Sequence, residues 1–151
     1  MCIRDSFCVK QCCAIVKGIG EIIEPFAMPA NFDILLVKPQ AGVPTGKAFG
    51  MLDFNACAHP DCEAVKKALQ DNDLVLVQAM SGNSLEYSAF QLVPEIQDIK
   101  KDLLKRGLEV VLMSGSGSTV FALSQNKEKL SQAANDMRKQ GHFVTLTNIL
   151  S

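Results

Sequence analysis

The chain has no excess of charge of either sign: 15 Lys and Arg stand against 16 Asp and Glu in 151 residues, a formal net charge of −1 at pH 7. That balance removes the electrostatic footprint of a general nucleic-acid or anionic-membrane binder, so an anionic ligand has to be held by local devices. Long hydrophobic runs are also missing. Stretches such as Leu74–Val77 and Val110–Met113 fall far short of the roughly 18 apolar residues that cross a bilayer. The N-terminus carries Arg4 and Lys10 but no continuous apolar stretch of signal-peptide length and no small-residue cleavage pattern, which argues against export. Cysteine is sparse. Cys2, Cys8, Cys12, Cys13, Cys57 and Cys62 are too few to staple a disulfide scaffold, and without an export signal they read as reduced thiols in a cytoplasmic protein.

What remains is 48% hydrophobic and 21% charged, with a mean hydropathy of +0.14. Such a chain can bury a core and is too apolar and evenly charged to stay disordered. At about 100–200 residues per domain, its length suits one. The apolar runs Cys12–Val16 and Glu21–Ile23 around Gly18-Ile19-Gly20 read as a β-hairpin, and Pro25 and Pro29 break the pattern after it. Phe32–Val37 reads as a central strand, apolar nearly throughout and ended by Pro39. Gly42–Gly46 reads as a loop before a short helix from about Lys47. Asp61 opens a helix with Val65, Ala68 and Leu69 on one face. Leu74–Met80 fits a strand by β-branching and a packed helix equally well. Asn83-Ser84-Leu85-Glu86 has the spacing of a capping box, with Asn83 as the cap and Glu86 reaching back, and Leu85, Ala89 and Leu92 share one face of the helix it would start. Pro94 opens a further helix striped by Ile96, Ile99 and Leu103 and stopped by Gly107. Glu109–Met113 and Thr119–Leu123 are strands. Lys127–Gln140 is a helix with Leu130, Ala133, Ala134 and Met137 on one side and Gly141 as its stop, and His142–Ile149 is a half-buried last strand. Strands mixed with paired helices imply an α+β sandwich rather than a regular βαβ series.

Chemistry concentrates in Ser114-Gly115-Ser116-Gly117-Ser118-Thr119, which joins the two strands. Two glycines let backbone approach a ligand, and consecutive amides and hydroxyls form a nest for phosphate oxygens without contributing charge. A plain hairpin turn fits the same residues. It is not a Walker A loop, because no Gly-Lys-Ser/Thr is present, and Val120 occupies the third glycine position of a dinucleotide fingerprint. Gly18-Ile19-Gly20 fails the same fingerprint at Ile23. Cys57, His59 and Cys62 are spaced as three zinc ligands, but no second Cys-x-x-Cys supplies a fourth, and they read instead as buried thiols beside a loop histidine. Cys12 and Cys13 read as core, facing opposite ways on a strand. Thr45, between Pro44 and Gly46 after a central strand, stands where ligand contacts and simple turns both occur. Asp53, Asp61, Glu86 and Asp98 are carboxylates with no special claim to acid–base work, and Asp61 and Glu86 have roles at helix starts.

Four strings in order carry a resemblance: Cys13-Ala14-Ile15-Val16-Lys17-Gly18-Ile19-Gly20-Glu21; Leu36-Val37-Lys38-Pro39 with Gly42-Val43-Pro44-Thr45; Asn83-Ser84-Leu85-Glu86; and Met113-Ser114-Gly115-Ser116-Gly117-Ser118-Thr119-Val120-Phe121. From about Phe7 onward the chain resembles the 4-diphosphocytidyl-2-C-methyl-D-erythritol kinases of the GHMP small-molecule kinase superfamily, and its last string is similar to that superfamily's third motif. The resemblance implies ATP-dependent phosphorylation, with magnesium, of the 2-hydroxyl of a cytidylyl methylerythritol in non-mevalonate isoprenoid synthesis. It implies a ferredoxin-like C-terminal domain over residues 25–151, preceded by a residual hairpin of an N-terminal kinase domain over 7–24. Residues 1–6 match nothing in the family. By position, Ser114, Gly115, Ser116, Gly117, Ser118 and Thr119 correspond to the glycine-rich loop near the phosphates, and Thr45 to a substrate-binding threonine.

The family's nucleotide-gripping loop and its catalytic Lys have no counterpart here. Its catalytic Asp lies in a Gly-x-Asp-x-Pro-Phe segment, whereas this chain reads Met1-Cys2-Ile3-Arg4-Asp5-Ser6-Phe7; Asp5 is one residue too close to Phe7, and no catalytic role passes to it. The expectation is a C-terminal half that is inactive alone, whose main packing partner is the absent N-terminal domain. Two other classes compete: a stand-alone ferredoxin-like module that binds a phosphorylated metabolite, and a zinc-stabilised interaction domain built on Cys57, His59 and Cys62.

Overall fold

The computed structural model describes residues 12–28 and 32–148. The expectations placed on residues 1–11, on Pro29 and on Ile149 lie outside that range. The first described elements are β1 (Ala14–Lys17) and β2 (Ile22–Pro25), antiparallel partners in a two-stranded sheet of their own. The hairpin thus forms where two apolar runs flank glycines, and Gly18 and Gly20 both take positive φ in the turn.

The main sheet contains β3 (Asp33–Lys38), β4 (Val110–Met113), β5 (Val120–Ser124) and β6 (Phe143–Asn148) in the order β4-β5-β3-β6, every neighbour antiparallel. With α5 (Glu95–Lys105) ahead of β4 and α6 (Lys127–Lys139) ahead of β6, this is the βαββαβ arrangement of a ferredoxin-like α+β sandwich. The apolar run of β3 is central, as its composition demands, lying between β5 and β6.

Alternation along the strands supplies two apolar faces. Leu35, Val37, Val111, Met113, Val120 and Ala122 meet the stripes of α5 (Ile96, Ile99, Leu103) and α6 (Leu130, Ala133, Ala134, Met137) in one core. The residues between them, Val110, Leu112 and Leu123, face the other way, onto Ala68 of α2 (Cys62–Gln70) and Leu74 and Val77 of α3 (Leu74–Met80). Period 2 in the strands and period 3.6 in the helices therefore converge on the same buried set.

Helix ends obey local chemistry. Asp61 caps α2, accepting from the amides of Glu63 and Ala64. Asp73 accepts from Leu76 N, which settles the ambiguous run Leu74–Met80 as a helix: a cap satisfies an amide that a strand would leave for a ladder. Helices α5 and α6 both end in a left-handed glycine, Gly107 (φ 75) and Gly141 (φ 89). In each, the glycine amide and the one after it turn back onto the last carbonyls, Leu108 N to Leu103 O and His142 N to Met137 O among them. Helix α1 (Thr45–Gly50) begins at Thr45, two residues before the expected start. Among the described residues, no helix is long and apolar enough to cross a membrane.

Three expectations need correction. Helix α4 (Glu86–Leu92) has Leu85 as its cap residue and no side-chain cap bond, so Glu86 occupies the first helical position rather than the third and cannot close a capping box. Cys62 is exposed, not buried, and Cys12 and Cys13 are only partly buried. Strand β6 lies at the edge of the sheet, and its Phe143 and Leu146 remain exposed.

Candidate functional site

Residues 114–119 close the β4–β5 hairpin. Ser114 N donates to Thr119 O at 2.8 Å and Gly117 N to Ser114 O at 3.0 Å. The amides of Gly115, Ser116 and Ser118 make no hydrogen bond among the described residues; Gly115 is exposed and Ser116 half-buried, whereas Ser118 is buried, which leaves the first two as donors open to an anion. Gly117 is required twice over: its φ is +88, and a Cβ there would meet Met113 Sδ at 2.8 Å and Val43 Cγ2 at 3.1 Å. The loop's hydroxyls divide. Ser114 is exposed, Ser116 and Thr119 are half-buried, and Ser118 Oγ is buried without a hydrogen-bond partner.

Thr45, which comes after β3 rather than β4, joins this loop. Its Oγ1 lies 3.0 Å from Ser116 Oγ, either hydroxyl being able to donate. The two places singled out from sequence, 71 residues apart, are therefore brought into contact. Thr45 is exposed, so its hydroxyl is reachable from solvent.

Beside the loop lie Asn83 and Glu86, which sequence spacing assigned to a helix cap. Asn83 Nδ2 donates to Met113 O at 2.8 Å and to Gly115 O at 2.7 Å, while its Oδ1 accepts from Leu85 N at 2.9 Å. Glu86 Oε1 accepts from Met113 N at 2.9 Å, and its Oε2 is paired with Lys100 Nζ at 2.6 Å. Gln78 Oε1 accepts from Val111 N at 2.7 Å. Strand β4 is an edge strand, and its outward polar groups would otherwise be unpaired. Side chains from the preceding helices take the place of a fifth strand.

The possible zinc ligands separate. His59 Nε2 is 2.8 Å from Phe54 O and 3.9 Å from the buried Cys57 Sγ, while Cys62 starts α2 and is exposed. Among the described residues no group of three or more His, Cys, Asp or Glu is placed to hold a metal ion. Asp61 caps α2, Asp53 accepts from Asn55 N, and neither reaches the loop.

Residues 65–142 match the family model described as "GHMP kinases C terminal". A protein of Geobacillus kaustophilus named 4-diphosphocytidyl-2-C-methyl-D-erythritol kinase is 35% identical over 133 residues, covering 88% of this chain and 46% of the relative. One of the same name from Exiguobacterium sibiricum is 36% identical over 144 residues, covering 95% and 50%. A crystal structure of a 4-(cytidine 5'-diphospho)-2C-methyl-D-erythritol kinase superposes with a TM-score of 0.74 at 29% identity, covering 89% of this chain and 48% of that one. The chain spans about half the length of the curated relatives it matches. The matched segment, more than half of the chain, shows that the chain belongs to the GHMP kinases by their C-terminal domain.

Proposed function

We propose that this chain is the C-terminal part of a cytoplasmic ATP-dependent kinase that phosphorylates the 2-hydroxyl of 4-diphosphocytidyl-2-C-methyl-D-erythritol. Residues 25–151 are its C-terminal domain, and the hairpin within 7–24 belongs to the N-terminal domain that packs against it. One observation carries the reading: Thr45 and the Gly/Ser loop, the positions at which the family resemblance expects substrate and phosphate, meet through the 3.0 Å contact between Thr45 Oγ1 and Ser116 Oγ. The separate two-stranded sheet of β1 and β2 supports the division of domains.

The loop presents the amides of Gly115 and Ser116 to phosphate oxygens, and Thr45 orients the acceptor substrate beside them. These are neutral donors. Phosphoryl transfer is catalysed mainly by positioning together with cations that stabilise the developing charge, so the remaining charge must come from the half of the enzyme that the relatives possess beyond this chain. Magnesium, implied for the intact enzyme, finds no set of three ligating side chains among the described residues.

The test is to incubate the purified chain with ATP, magnesium and the cytidylyl substrate, alone and with the N-terminal half supplied. Product only in the second case supports the reading. Product from the chain alone above a no-protein blank overturns it, and tight calorimetric binding of a phosphorylated metabolite by the isolated chain favours a stand-alone binding module instead.

A further inference from the structure

A loop that offers amides to a ligand must have its carbonyls turned elsewhere. Those of Met113 and Gly115 turn toward one side chain, and that of Ser114 accepts from Gly117 N within the loop. The Asn83 carboxamide donates both its hydrogens to carbonyls of this segment, Met113 O and Gly115 O, and is itself fixed by Leu85 N. Three residues beyond Asn83 the chain reaches Glu86, whose Oε1 holds Met113 N from the same side and whose Oε2 is anchored by Lys100 of α5. The Glu86 and Lys100 side chains are only 13% and 17% exposed, so solvent competes weakly for them. Ser84 Oγ adds a tie to Ala58 O at 2.7 Å, holding the segment from behind.

We infer that Asn83 and Glu86 are positioning residues of the Gly/Ser loop: they bind the carbonyls of Met113 and Gly115 and the amide of Met113, and thereby keep the amides of Gly115 and Ser116 open to a ligand. The ligand these amides face is taken from the proposed function, on which this inference rests. The division of labour is chemical. Asn83 must be a donor, because both its loop partners are carbonyls, and aspartate has no such hydrogens. Glu86 must be an acceptor at Oε1, a role that glutamine's carbonyl oxygen can fill.

The experiment measures amide hydrogen exchange by NMR in the ¹⁵N-labelled chain, comparing wild type with N83A, N83D, E86A and E86Q. The reporters are the bonded loop amides Ser114 and Gly117, and the references are Leu35 and Ala122, paired in the middle of the sheet. The expected result is exchange roughly tenfold faster at the reporters in N83A, N83D and E86A, with the references little changed and E86Q in between, because its carbonyl oxygen can hold Met113 N while its amide nitrogen cannot accept from Lys100 Nζ. Equal acceleration of reporters and references, or no acceleration at the reporters, overturns the inference, as does an E86Q variant indistinguishable from E86A. Should N83D fail to fold, N83A and the Glu86 pair still decide. Titration with inorganic pyrophosphate separates this inference from the function beneath it. Shifts at Gly115 and Ser116 in wild type that are lost in N83A support both. Loop loosening in N83A without any pyrophosphate shift in wild type upholds the positioning role and counts against the phosphate-facing loop.

Discussion

Thr45 Oγ1 and Ser116 Oγ sit 3.0 Å apart across 71 residues of sequence. One hydroxyl comes just after the central strand β3 and the other lies in the β4–β5 turn, so the contact reports the closure of two loops onto one site. Replacing Thr45 by Val and Ser116 by Ala, singly and together, is expected to give a coupling energy of about 0.5–1 kcal/mol, modest because the pair is exposed. Urea unfolding of the four proteins measures it, and additive single effects would show that the hydroxyls are neighbours without being partners.

The glycines of the loop differ in what surrounds them. A methyl group at Gly117 would lie 2.8 Å from Met113 Sδ, whereas at Gly115 it would meet nothing within 4 Å, although both have positive φ. Gly115→Ala is expected to cost about 1–2 kcal/mol from the left-handed backbone alone. Gly117→Ala adds overpacking, and an extra cost of about 1 kcal/mol or more is expected. Thermal or urea denaturation that ranked the two in the opposite order would mean that Met113 moves aside freely.

Leu103 stands at the meeting of α5 with the sheet and is completely buried. Leu103→Ala should lower stability by about 2–5 kcal/mol. The neighbouring Leu104, 38% exposed, should lose under about 1 kcal/mol on the same substitution, and equal losses at both positions would contradict the assigned helix face.

Acid should weaken the tie between α5 and α6. The hydrogen bond from Arg106, joined by that from Lys139, holds the Asp136 carboxyl below its ordinary value of 3.8. A carboxyl lowered on folding contributes stability that is full above 3.8 and is lost as pH falls through its lower folded-state value. Asp136→Asn should therefore destabilise the chain at pH 7 and have little effect near pH 2, the group being exposed and the effect small. A difference in urea midpoint that stayed constant across that range would assign the loss to something other than charge.

Much of this architecture is legible from local pattern. The helical stripes of α5 and α6, the glycines that end them and the apolar run of β3 each encode their own structure within a few residues. Leu74–Met80 is different, because a helix apolar on several sides has no period to read, and only the Asp73 cap distinguishes it from a strand. The site shows the same limit more sharply. The Gly/Ser loop and Thr45 stand out by composition and family likeness, yet nothing local tells that they touch. Asn83 and Glu86 do have the spacing of a capping box, but their partners lie 27 to 32 residues away on β4 and its loop. A capping box makes both side chains acceptors of nearby amides; Glu86 does accept an amide, but one on β4, while Asn83 accepts only from Leu85 N and donates its two hydrogens to carbonyls of β4 and its loop.

In the proposed function these residues form half of a kinase whose other half supplies the cations and the nucleotide-gripping loop. The most direct measurement is the sequence of the native genomic DNA upstream of the codon for Phe7. The account predicts an open frame encoding a glycine- and serine-rich phosphate loop, a catalytic Lys and a Gly-x-Asp-x-Pro-Phe segment that runs into Phe7. A stop codon and a ribosome-binding site immediately ahead of Met1 would contradict it.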